Sequence, residues 1–215
     1  MELLRDFKRC VILSGAPTFY SPGLEPTDYI IACDHGYDHA RQEGIVPHLI
    51  VGDFDSVTGE MEPDVPVLTV PAEKDDTDTM LAVRQGLSKG FSDFLLLGAT
   101  GGRLDHQMAN FSVAAFIAGE GGTCIILDER HVIYTLKNGS LSLERRDGWC
   151  VSVLSYSDES NGVTLQGLKY PLTNATLRSN IPLGVSNEFA AERASVTVQN
   201  GLLFVMLVKV QDENG

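Results

Sequence analysis

Along the first two-thirds of the chain, short apolar runs alternate with stretches whose apolar residues recur every three or four positions. Residues 9–14, 29–34, 48–52, 65–70, 94–97 and 123–128 read as strands, apolar enough on both faces to be buried. Residues 37–43, 77–88 and 104–118 read as helices. Met80, Val83 and Leu87 share one helical face, as do Leu104, Met108, Phe111 and Ala115. Gly44 and then Pro47 mark a helix stop. Strands alternating with helices in this way predict an open, mostly parallel α/β sheet covered on both faces.

The pattern changes near residue 130. Beyond it come short alternating or β-branched segments at 149–155, 162–165, 195–199 and 202–208, separated by Gly, Asn and Ser turns, with no helical period. Asn200-Gly201 predicts a hairpin between the last two. The expected organisation is an α/β domain over residues 1–130 and a small antiparallel β domain over 131–215.

Composition narrows the partners. The 215 residues suit one large domain or two small ones. Lysine and arginine total 16 against 29 aspartate and glutamate, a formal net charge of −13. Such a surface repels phosphate backbones, so neither nucleic acid nor an anionic membrane is an expected partner. A nucleotide stays admissible where a divalent cation reverses the local sign. Apolar runs such as 202–208 fall far short of the ~20 residues that span a bilayer. The opening Met1-Glu2-Leu3-Leu4-Arg5-Asp6 carries no signal-peptide pattern, so the expected location is cytoplasmic. Cys10, Cys33, Cys124 and Cys150 form no C-x-x-C pair and read as reduced, buried thiols.

Open α/β sheets bind ligands beyond the carboxyl ends of their strands, and here those ends are acidic. Asp34 ends the second strand, Asp53 and Asp55 follow the third, and Asp75, Asp76 and Asp78 follow the fourth. The fifth runs into Gly98-Ala99-Thr100-Gly101-Gly102-Arg103-Leu104-Asp105-His106. Carboxylates crowded on one rim repel one another unless a cation lies among them. An all-oxygen set favours Mg²⁺. Asp53 and Asp55, flanking Phe54, read as metal ligands, whereas Asp75, Asp76 and Thr77 read equally well as helix caps. The glycine turn offers backbone N–H groups to a phosphate, and Arg103 a bidentate clamp. The turn lacks the Walker A lysine and the dinucleotide-binding spacing, and Arg103 has the alternative of pairing with a neighbouring aspartate. His35, His39, His48 and His106 read as ordinary surface or core histidines, and residues 184–189 as a polar–aromatic cluster in a loop.

In order and spacing these segments resemble the thiamine pyrophosphokinases over nearly the whole chain. DHGYDHARQEGIVPHLIVGDFDS, KDDTDT and LLLGATGGRLDHQMAN are similar to that family's acidic and glycine-rich motifs, and GLKYPL and GVSNEF to its C-terminal ones. The resemblance implies a C-terminal β-sandwich, a homodimer whose active sites are shared between chains, and pyrophosphoryl transfer from ATP to thiamine with release of AMP. It implies that Asp34, Asp53, Asp55, Asp78 and Asp105 lie in an Mg²⁺-dependent nucleotide site, with Asp53, Asp55 and Asp78 on the metal. Gly101, Gly102 and Arg103 would meet phosphate, and Ser186 and Asn187 would help hold thiamine. Which carboxylate takes the hydroxyl proton stays open. Two departures stand out: His35 occupies a position where the family has Gly, and Thr79-Met80 lacks an acid often found there. The rival classes are a metal-dependent phosphohydrolase and a noncatalytic nucleotide sensor.

Overall fold

The computed structural model describes residues 7–52, 64–69 and 75–210. The chain divides into two compact units, Met1–Glu129 and Arg130–Gly215. Among the described residues no helix is long and apolar enough to cross a membrane.

The first unit contains, in chain order, β1 (Arg9–Leu13), β2 (Asp28–Cys33), α1 (Asp34–Gln42), β3 (Leu49–Gly52), β4 (Val67–Thr69), α2 (Asp78–Ser88), β5 (Asp93–Leu97), α3 (Leu104–Gly119) and β6 (Thr123–Leu127). Its strands lie in the order β6-β5-β1-β2-β3-β4, and every neighbouring pair is parallel. The chain winds from β1 to one side as far as β4, then crosses back to place β5 on the other side of β1. That reversal between β1 and β5 is the topological switch point of the sheet.

Both faces of the central strands are covered, which is why they carry apolar residues without alternation. Tyr37 and Ala40 of α1 pack with Val11, Leu13, Ile30, Ala32 and Leu97 on one face. On the other, α2 comes so close that a Cβ at Gly86 would lie 2.7 Å from Phe94 and 3.0 Å from Cys10. All three helices end in one motif. After α1, Gly44 N donates to Arg41 O and Ile45 N to Ala40 O; the same two bonds close α2 at Gly90 and Phe91 and α3 at Gly121 and Gly122. The glycines at these ends have φ of 66°, 91° and 86°, the left-handed conformation that satisfies the last carbonyls of a helix. Cys10, Cys33 and Cys124 are buried free thiols, and burial pushes the Cys10 and Cys124 thiols well up.

The second unit is all β among its described residues: β7 (His131–Lys137), β8 (Ser140–Glu144), β9 (Trp149–Ser155), β10 (Glu159–Gln166), β11 (Leu172–Arg178), β12 (Gly184–Glu188), β13 (Arg193–Thr197) and β14 (Leu202–Lys209). They form two antiparallel layers, β12-β9-β14-β7 and β11-β10-β13-β8. The hairpin expected at Asn200-Gly201 is not one. β13 pairs with β8 and β10 whereas β14 pairs with β7 and β9, so this turn carries the chain from one layer to the other. Gly201 N is held by Asn138 Oδ1 at 2.9 Å and Asn161 bridges to Asn200, contacts to other strands that override the local two-residue turn preference.

Candidate active site

At the β1/β5 switch point the first unit opens a cleft of about 440 Å³. Its walls come from the segment after β1 (Ser14 to Pro17), the start of α1 (Asp34, His35), the start of α2 (Thr77, Asp78, Thr79), the turn after β5 (Ala99, Gly101) and the start of α3 (Arg103, His106, Asn110).

Asp34 is the first residue of α1 and is 8 % exposed. Sequence periodicity begins this helix three residues later; it starts at Asp34 because Gly36 lets α1 press onto β1, where any Cβ would collide with the Leu13 carbonyl oxygen. The glycine demand of this motif therefore falls on Gly36. His35 is accommodated because Gly15 stands opposite it, where a Cβ would come within 2.7 Å of the His35 Cβ. Asp78 is the first residue of α2, behind the N-cap Thr77, whose Oγ1 accepts from Met80 N at 3.2 Å. Both aspartates sit in the first turn of a helix, where the helix dipole favours negative charge. Thr79 is buried with its Oγ1 3.1 Å from Ser14 Oγ. Asp76 turns away to pair with Arg84 at 2.8 Å. Asp53 and Asp55 lie outside the described residues, and among those described no three His, Cys, Asp or Glu side chains gather as a metal site.

The glycine turn after β5 has a further constraint beyond close approach of a phosphate. Gly98, Gly101 and Gly102 have φ of 61°, 87° and 71°. A Cβ at Gly98 would lie 2.5 Å from Ser14 O, one at Gly101 2.7 Å from Thr18 Oγ1, and one at Gly102 2.6 Å from Pro17. These glycines let the turn nest against the loop after β1. Asn110 Nδ2 donates to Ala99 O at 2.8 Å, and Thr100 donates to Asp128, fixing the turn from behind.

Arg103 is the N-cap residue of α3, exposed, and paired with Asp105. The hydrogen bonds to Asp105 raise the Arg103 pKa, and the same pairing holds the Asp105 carboxyl below its usual range. Asp34, Asp78, Gly101 and Arg103 thus line one cleft. Asp105 and Gly102 adjoin it in the chain.

Ser186 and Asn187 belong to β12 in the second unit. Ser186 is exposed, with φ of 58°, at an irregularity in the β12–β9 register, and its N–H donates to Ser152 Oγ at 3.0 Å. Asn187 is 4 % exposed. Its Oδ1 accepts from Tyr170 N at 2.9 Å and Glu188 N at 3.0 Å, and its Nδ2 donates to Tyr170 O at 2.8 Å. This amide therefore clasps Tyr170 onto β12, joining the two C-terminal motifs of the sequence into one feature. Lys169 and Glu188 add an ion pair at 2.9 Å beside it.

The sequence does not single out Ser14–Pro17 or Asn110, and it marks Thr79 only as a departure from the family pattern. The signal available was Ser14-Gly15 directly after a buried strand, the place where a sheet of this type puts its ligand.

A family model described as "Thiamin pyrophosphokinase, catalytic domain" matches residues 22–124, and one described as "Thiamin pyrophosphokinase, vitamin B1 binding domain" matches residues 131–203. A Bacillus subtilis protein named thiamine pyrophosphokinase is 30 % identical over 207 residues, covering 91 % of this chain and 96 % of that protein. The fold is similar to the crystal structure of thiamine pyrophosphokinase from Bacillus subtilis, with a TM-score of 0.86 and 27 % identity over 94 % of this chain and 99 % of that one. It is also similar to the Geobacillus thermodenitrificans structure, with a TM-score of 0.83 and 28 % identity over 95 % and 98 % of the two chains.

Proposed function

This chain belongs to the thiamin pyrophosphokinase family, ATP-dependent enzymes that convert thiamine to thiamine diphosphate, and from that premise we propose how its own residues divide the work. ATP occupies the cleft of the first unit. One observation carries this reading: the cleft opens at the β1/β5 switch point, with a glycine turn and Arg103 on one wall and Asp34 and Asp78 on another. Arg103 uses its Nε–H and one Nη2–H on Asp105, which leaves three guanidinium N–H groups for phosphate oxygens. Asp105 orients the guanidinium for that contact.

The oxygen donors at the cleft, Asp34 and Asp78, fit a hard cation. Asp78, with Asp53 and Asp55 from the segment following β3, would hold Mg²⁺ there. When bound, it offsets the charge of the transferring phosphates. In the transfer, the thiamine hydroxyl oxygen bonds to the β-phosphorus while its proton passes to a cleft carboxylate. The Pα–O–Pβ bridge breaks and AMP departs with the bridging oxygen. Positioning and electrostatics account for most of such catalysis.

Thiamine lies against the second unit at Ser186, on a surface that Asn187 shapes by clasping Tyr170. The enzyme is a cytoplasmic homodimer in which the second unit of one chain completes the site of the other. The phosphohydrolase alternative is disfavoured by the family assignment and leaves the second unit without a use. The test is AMP release from Mg·ATP with and without thiamine. Release that requires thiamine and yields thiamine diphosphate is expected; thiamine-independent phosphate release would restore the hydrolase reading.

A further inference from the structure

The loop after β1, residues 14–19, carries no acid, base or cation, yet three elements hold it in place. Ser14 N donates to Leu97 O at 2.8 Å and Ala16 N to Gly98 O at 2.9 Å, tying the loop to the turn after β5. Ser14 Oγ meets Thr79 Oγ1 on α2 at 3.1 Å. The third tie comes from α1. His39 Nε2 lies 2.7 Å from Ala16 O; a carbonyl only accepts, so Nε2 carries the proton. The His39 ring also stacks on Phe19, centroids 4.8 Å apart and planes 12° from parallel. These contacts set Pro17 and Thr18 in the space that side chains at Gly102 and Gly101 would need. The loop therefore lines the cleft, and the glycine turn packed against it continues that lining.

His39 is half-buried and absent from the residues lining the cleft, and it reaches the site through Ala16, which lines it. We propose that His39 is a positioning residue for ATP: its hydrogen bond to the Ala16 carbonyl holds the loop after β1 in the place, packed against the glycine turn, from which it lines the cleft for the triphosphate. This rests on reading the cleft as the ATP site. A latch of this kind works on one substrate. Displacing a binding wall by a fraction of an ångström weakens the contacts on that wall and leaves a second substrate's pocket untouched.

The experiment compares His39→Phe, which keeps a ring against Phe19 and removes the donor, with His39→Gln, whose amide restores a donor near the Nε2 position. Phe19→Ala loosens the same latch from its other side. KM for ATP, KM for thiamine, kcat and the thermal midpoint are measured for each. His39→Phe and Phe19→Ala should raise KM for ATP by about tenfold with KM for thiamine unchanged, and His39→Gln should recover most of that loss. An unchanged KM for ATP in folded His39→Phe or Phe19→Ala overturns the proposal. So does a parallel rise in both KM values, or a loss confined to thermal midpoint and active fraction. A wild-type enzyme without thiamine-dependent AMP release would instead remove the functional reading beneath it.

Discussion

Arg103 grips Asp105 two residues along the chain through two guanidinium nitrogens, Nε to Oδ1 at 3.1 Å and Nη2 to Oδ2 at 2.6 Å. Both side chains are largely exposed, 72 % and 64 %, so the pair contributes little to stability and its value is orientation. The two uses that the sequence leaves open for Arg103, phosphate clamp and partner of an aspartate, are compatible because the guanidinium has donors enough for both.

Arg103→Lys keeps the charge but cannot span both oxygens of Asp105 while meeting phosphate. Its kcat/KM should fall by roughly tenfold or more, about 1.4 kcal/mol of transition-state stabilisation, with the thermal midpoint unchanged. Asp105→Asn should lose less, since Arg103 keeps its own donors. Steady-state kinetics that match wild type for both substrates in Arg103→Lys would remove the clamp.

Asp78→Asn and Asp55→Asn should each abolish turnover at ordinary Mg²⁺ concentrations without unfolding the protein. Asp78 lines the cleft at the start of α2, and taking one negative charge from an acidic rim relieves repulsion in the metal-free state. Melting without Mg²⁺ and AMP release with it are the paired measurements. Near-normal turnover in either variant would take that carboxylate off the metal.

His48 stacks on Tyr29 at 4.9 Å, meets Phe7 edge-on at 4.8 Å, and accepts from Ile30 N through Nδ1 at 3.1 Å. Burial lowers its pKa. The unfolded chain then takes up a proton that the folded imidazole resists. The stabilisation is complete above about pH 6.5, the unfolded value, and is lost as pH falls through the folded one. His48→Asn, whose Oδ1 can replace Nδ1 as acceptor, should lower stability overall yet flatten its decline between about pH 7 and about pH 5. Urea titrations at both pH values check this; equal slopes in the two proteins would show that His48 does not titrate on folding.

Asn187→Ala strands Tyr170 N–H, Tyr170 C=O and Glu188 N–H, and should cost about 1–3 kcal/mol of unfolding free energy. Asn187→Asp keeps both acceptor bonds but turns an oxygen onto the Tyr170 carbonyl and buries a charge, so it should cost at least as much. Denaturant melts of the two variants give the comparison, and an Ala variant as stable as wild type would mean that the clasp contributes nothing.

Mixing tests the shared site. Asp78→Asn and a Ser186→Ala/Asn187→Ala variant, each inactive alone, are dissociated and reassociated together. Random pairing makes half the dimers mixed, each with one intact site of two, so about a quarter of wild-type activity should return. With subunit exchange verified by mass spectrometry, no recovery would place each site within one chain.

How much of this was legible in the sequence follows from burial. β1, β2 and β5 are covered on both faces, so their apolar runs stand out. β8, β11 and β12 each bury only one or two side chains, and a run such as Leu172–Arg178, mostly polar and half exposed, has the composition of a loop. Asp34, Asp78 and Arg103, which line the cleft, stand out in the sequence because their chemistry is written in their side chains. The loop after β1 does not, because Gly15, Ala16 and Pro17 act through backbone and shape. The motif around Asn187 does not show the hydrogen bonds its amide makes to Tyr170, which depend on a segment 17 residues earlier in the chain.

The pairing of β5 with β1 sets Phe94 beside Cys10, two residues between which the chain lays down three other strands and two helices. Closing so long a loop is slow relative to local structure, because its entropy is lost before the contacts repay it. Two of the segments that line the cleft hang on that closure, one leaving β1 and the other leaving β5. A refolding chain therefore gains this cleft in the step that pairs β5 with β1. A ligand of the cleft added during refolding holds the finished state without hastening the search for it.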